Sequence, residues 1–146
     1  MRAILKFFAL SNADRILIVR AVSLFIGIWI GLRLFSFGKI LAVLNKYSAR
    51  VSNSGGNSPR NPDKIIWAVS AIGRYLPLRP SCLEQALTAR LLLCREGYHS
   101  IVRIGIAAGN DRFQAHAWLE HNGKIVVGNK AVEDFHPLPS FDRGHV

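Results

Sequence analysis

The 146-residue sequence predicts an α+β fold, a cysteine-bearing helix packed on an antiparallel sheet and preceded by a basic hydrophobic helical hairpin. Three observations lead there. Apolar residues recur at helical spacing as far as Glu96, Gly97 is a helix stop, and from Ile101 the period changes to two. Asn122-Gly123, between alternating segments, is a strong two-residue hairpin signal. Ser81 and Glu84 have capping-box spacing, which makes Ser81 the N-cap and Cys82 the first helical residue.

In chain order, Ser11-Asn12-Ala13-Asp14 supplies cap candidates for a helix from about Asp14 to Phe35. After Ser36-Phe37-Gly38 a short second helix is expected over Lys39 to Tyr47. Residues 48–62 are rich in Ser, Asn, Gly and Pro and read as a linker. The expected organisation is therefore a helical segment over 1–47, the linker, and a catalytic domain over 63–146. That domain opens with a helix from Asp63 to Tyr75, with Ile66, Val69, Ser70, Gly73 and Leu76 at helix-face spacing, ended by Pro77 and Pro80. In the Cys82 helix, Leu83, Leu87, Arg90, Leu91 and Cys94 follow one stripe. Strands follow at Ile101–Ala107, Gln114–His121 and Lys124–Asn129, with little regular structure beyond Pro137.

Half the residues are hydrophobic and the mean hydropathy is +0.21, which excludes global disorder. Residues 1–50 carry a net charge of +7 and residues 51–146 only +3. Positive charge interleaved with Phe, Leu, Ile and Trp suits an anionic membrane surface or an acidic, apolar partner. No zinc spacing, stacking motif or phosphate loop supports nucleic-acid binding, and no metal or cofactor is expected. Ala21–Leu32 is twelve uncharged residues, and Ile16–Leu32 seventeen with Arg20 inside, both short of the roughly twenty a span needs. Asp14-Arg15 ahead of the run and the lack of a small-residue cleavage site after it speak against a signal peptide. The expectation is a cytoplasmic protein touching a membrane peripherally through residues 14–35. Cys82 and Cys94 lie twelve positions apart on one helix, about 18 Å, and cannot bridge, which fits a reducing compartment.

The chemistry-bearing residues come together through spacing. A thiol in the first helical turn meets free backbone N–H groups and the positive end of the helix dipole, both of which favour the nucleophilic thiolate. A two-residue turn pairs His121 with Lys124, so an unbroken ladder sets Trp118 opposite Val127 and His116 opposite Asn129, on a face turned towards the Cys82 helix. This proposes a triad: Cys82 attacks, His116 moves the proton and Asn129 holds the imidazole tautomer. The Cys82 N–H is the natural oxyanion donor, with Gln85 one turn on as a second candidate. A helix-start cysteine or a strand histidine taken singly is more often structural; the combination points to catalysis. Cys94, beside Leu91 and Leu93, reads as a buried small hydrophobe and Trp118 as core. His99, His121, His136 and His145 read as surface residues without partners.

Cys82-Leu83-x-Gln85-Ala86-Leu87, the Leu91-Leu92-Leu93 run, Gly97 and Ala115-His116-Ala117-Trp118-Leu119-Glu120 with Gly123 after it resemble the transglutaminase-like superfamily. Trp67-Ala68-Val69 and the segment after Asp14-Arg15 extend the likeness. Within the superfamily the sequence is similar to the lasso peptide biosynthesis leader peptidases, the transglutaminase-like B proteins. The resemblance implies a papain/transglutaminase-like core that hydrolyses one peptide bond and frees a leader from a ribosomally made precursor peptide. It also implies a separate leader-binding protein and a lasso cyclase that closes the ring. The family usually has Asp as third triad member, so Asp111, Glu133 and Asp134 stand as alternatives to Asn129. Two other functions fit the same residues: an acyl transferase of the transglutaminase type, and a non-catalytic membrane or scaffold subunit of a peptide-maturation complex.

Overall fold

The computed structural model describes residues 8–52, 60–78, 80–108, 113–128 and 132–139. Helix α1 (Asn12–Leu34) starts at Ser11, whose hydroxyl accepts the Asp14 N–H at 3.2 Å. Helix α2 (Phe37–Ser52) continues past the expected end at Tyr47. Helix α3 (Pro62–Tyr75) has Asn61 as N-cap and Pro62 in its first turn, where a missing N–H costs nothing. Helix α4 (Cys82–Arg95) carries both arms of the expected capping box. Ser81 Oγ accepts the Glu84 N–H at 3.3 Å, and Glu84 Oε2 accepts the Ser81 N–H at 2.7 Å. Its far end is closed as Gly97 suggests: at φ +83° the chain reverses, Tyr98 N–H reaches Leu93 O at 2.9 Å and Gly97 N–H reaches Cys94 O at 3.0 Å.

Strands β1 (Ile101–Ala108), β2 (Phe113–His121), β3 (Lys124–Val127) and β4 (His136–Pro137) form one antiparallel sheet in the order β3-β2-β1-β4. A 3₁₀ turn at Val132–Asp134 leads into β4, whose two residues are too few to leave a periodic signal. The Asn122-Gly123 turn forms as expected, both residues at positive φ.

Helix α4 is the centre. Ala86 to Ala89 and Leu91 to Leu93 are all buried, more than one stripe can account for. One core joins Leu17, Ala21 and Phe25 of α1 to Ile65 and Val69 of α3, Ala86, Ala89 and Leu93 of α4, and Leu119 and Val127 of the sheet. A smaller one joins Ile28, Leu44, Leu87 and Leu91. Helix α1 therefore supplies one wall of the central core. By length and composition alone α1 is also long and apolar enough to cross a membrane, with 23 residues and a mean hydropathy of 2.0 over an 18-residue window, longer than the uncharged run suggested.

Phe25 is 0% exposed, so Phe25→Ala is expected to cost about 3–5 kcal/mol, read as a lower urea midpoint. A chain beginning at Asn57 should lose its cooperative unfolding transition for the same reason.

Candidate active site

Cys82 is half-buried at the first position of α4. The first helical bond there runs from Gln85 N–H to Ser81 O at 3.1 Å, so the N–H groups of Cys82 and Leu83 have no acceptor within the helix. They and the helix dipole surround the thiol with partial positive charge. Gln85 does something the sequence did not suggest. Its Nε2 donates to Pro80 O at 3.0 Å, and a Cβ on Gly73 would stand 2.6 Å from its Oε1. The side chain thus braces the Pro80-Ser81 entry against α3, with one amide hydrogen engaged.

His116 stands on β2 opposite Gly105 of β1. Its Nε2 lies 2.7 Å from Gly128 O. A carbonyl only accepts, so Nε2 carries the hydrogen and Nδ1 keeps the lone pair in the neutral ring. The ring is flanked by Trp118, stacked at 6.3 Å between centroids, and by Phe135, tilted at 5.2 Å. Trp118 is buried as expected, its Nε1 donating to Glu120 Oε1 at 3.0 Å, while Arg103 Nε reaches Glu120 Oε2 at 3.4 Å. Two glycines make this arrangement fit. A Cβ on Gly105 would stand 2.8 Å from the Trp118 ring and 2.9 Å from Phe135 Cβ. Gly128, at φ +80°, would bring a Cβ within 2.6 Å of Ala117 O.

The hairpin register departs from the expected ladder. His121–Lys124 and Glu120–Ile125 pair as the turn dictates, but Leu119 then pairs with Val127. Val126 is an extra residue in β3, a bulge that the turn cannot reveal. Trp118 is therefore not opposite Val127, and the register that set His116 against Asn129 does not hold; the ring takes the Gly128 carbonyl instead. Asn129 and Asp111 lie outside the described residues, while Glu133 and Asp134 are exposed in the 3₁₀ turn.

The sheet face also differs. Leu119 and Val127, with Val102 beside them, pack with α4 residues, so by strand alternation His116 and Trp118 leave β2 on the other side, under Phe135. Among the described residues no hydrogen bond joins Cys82 Sγ to the His116 ring. Cys94 is half-buried rather than buried, and its thiol donates to Ser48 O of α2 at 3.4 Å. His121, expected to be without partners, has Nδ1 at 2.7 Å from His99 O and meets the Tyr98 ring edge-on at 5.6 Å.

Residues 25–140 match the family model of the transglutaminase-like superfamily. The chain belongs to the transglutaminase-like superfamily. Its members are in general cysteine enzymes, and the matched segment contains Cys82, His116 and Gly128 and begins inside α1. The α+β architecture, with the cysteine leading α4, agrees with a transglutaminase-like core. No curated protein and no solved structure matches the chain.

Gly105→Ala should displace Trp118 and Phe135 and cost about 1–3 kcal/mol, seen as a fall in Tm. Gly38→Ala in α2, where a Cβ meets nothing within 4 Å, should leave Tm unchanged or raise it slightly.

Proposed function

We propose that this protein is a cysteine peptidase that removes the leader from a lasso peptide precursor, with Cys82 as nucleophile and His116 as general base. The observation that carries the proposal is Cys82 itself: a thiol at the first position of a box-capped helix, in a superfamily of cysteine enzymes. A further feature supports it: the Gly128 carbonyl leaves His116 Nδ1 as the atom able to take a proton.

In this reading the Cys82 thiol gives its proton to His116, and the sulfur adds to the carbonyl carbon at the end of the leader. The Cys82 N–H receives the oxyanion. The C–N bond breaks as His116 returns the proton to the departing amine, the new N-terminus of the core peptide. Water, deprotonated by His116, then cleaves the leader thioester and frees the thiol. The lasso assignment draws on the Cys82-Leu83-x-Gln85-Ala86-Leu87 and Ala115-His116-Ala117-Trp118 blocks. With it come the separate leader-binding protein and cyclase as partners. Asn129, next to Gly128 in the chain, is the side-chain candidate for holding the ring.

Mass spectrometry of a lasso precursor incubated with the protein and a leader-binding protein tests the proposal. Cys82→Ala should abolish cleavage, whereas Cys94→Ala should keep it and lose about 1 kcal/mol of stability with its Ser48 contact. Full cleavage by Cys82→Ala would end the cysteine-peptidase reading, and an amine adduct in place of the free leader acid would make the protein an acyl transferase.

A second pair of variants apportions the orienting role. Gly128→Ala, which disturbs the carbonyl on Nε2, is expected to lower kcat about tenfold or more, and Asn129→Ala to lower it less. The reverse order, in single-turnover cleavage by variants shown folded by circular dichroism, would return that role to the Asn129 side chain.

A further inference from the structure

We propose that the outer face of α1 is a membrane-surface contact, lying flat on a bilayer that contains anionic phospholipid. The inference does not rest on the peptidase reading. Helix α1 is apolar on two opposite sides. Leu17, Ala21, Phe25 and Ile28 face the core, while Ile16, Val19, Ile26, Ile30 and Leu34 form a stripe on the outside. Val19 is 54% and Leu34 70% exposed, and the stripe extends for about 27 Å. A helix apolar all round is normally covered all round, and among the described residues only one side of α1 is buried.

The chemistry of the face selects the occupant. Its one polar residue within the stripe, Ser23, donates its hydroxyl to Val19 O at 2.9 Å, so the stripe offers little for a protein partner to hydrogen-bond. Exposed cations lie beside it at Arg20 and Arg33, with Lys39 just past its Leu34 end. Asp14, the sole acid in residues 1–50, is already engaged. The Ser11 hydroxyl and then the Lys64 ammonium, 3.0 Å away, hold its carboxyl below the usual carboxylate range. Arg33 lies over the Trp29 ring at 5.0 Å. An aliphatic strip bordered by exposed cations is complementary to acyl chains beneath anionic headgroups.

The apolar surface continues into a groove of about 550 Å³ between α1 and α3, where Ile18, Val22, Trp67 and Tyr75 form walls and Arg74 supplies a cation. Exposed Trp and Tyr beside Arg are the side chains that sit at headgroup depth. The helix lies in the plane of the membrane and does not cross it, because crossing would tear Leu17, Ala21 and Phe25 out of the core.

Co-sedimentation of the full chain with vesicles tests this, using phosphatidylcholine alone and phosphatidylcholine with about one-third phosphatidylglycerol. Binding is expected only to the mixed vesicles, falling as salt rises. Val19→Asp with Ile30→Asp, both exposed positions, should weaken it about tenfold or more without changing the circular dichroism spectrum. Should that variant fail to fold, Arg20→Glu with Lys39→Glu should give a comparable loss. Folded protein left in the supernatant with both vesicles, or equal binding by the charge-reversed variant, would overturn the proposal. A dimer that Val19→Asp with Ile30→Asp dissolves, without vesicle binding, would assign the face to a second copy of the chain.

Discussion

Burial of α4 on most of its circumference is the constraint on which the other elements depend. Ala86 and Ala89 are small enough for neighbours to come close, and Leu87, Leu91, Leu92 and Leu93 fill the space around them. Helices α1 and α3 and the sheet each lay an apolar face on it, so none of these layers has a complete core of its own. Both ends of α4 are closed, by the Ser81–Glu84 box at one and by Gly97 at the other. What stays uncommitted is the pair of N–H groups at Cys82 and Leu83. The cysteine-bearing end of the helix thus keeps backbone polarity that its own turns do not satisfy.

The surroundings of His116 are built by omission as much as by contact. Gly105 leaves room for the Trp118 ring and the Phe135 Cβ, and Gly128 takes a left-handed conformation that an added side chain would obstruct. Between them the imidazole has one fixed acceptor and two aromatic neighbours. A backbone acceptor differs in kind from a carboxylate: it sets the tautomer and carries no full charge.

What the sequence made legible is what short spacing encodes. Ser81 with Glu84, Gly97 after the helix and Asn122-Gly123 each specify a local geometry within a few residues, and each appears where it was read. The remainder depends on partners far along the chain. The Cys82 helix looks striped until α1 and α3 arrive to cover its other sides. The charge of residues 1–50 pointed outward, because Arg20 and Arg33 stand out in the sequence while the inner face of Leu17, Ala21 and Phe25 is one apolar run among several. The extra residue at Val126 has no local signature, and it breaks the unbroken ladder on which Asn129 was set opposite His116.

That extra residue has a consequence for how a peptide can be held. Strand β3 is one edge of the sheet, four residues long and bulged where it meets Leu119, and the opposite edge, β4, has two residues. Short, irregular edges make poor templates for an added strand. Among the described residues, then, both margins of the sheet are poorly suited to recruiting an extended chain by β-augmentation, a mode that grips the peptide backbone. For the proposed peptidase, selectivity for one bond would then come from side-chain recognition near α4, or from a second protein that delivers the peptide already positioned.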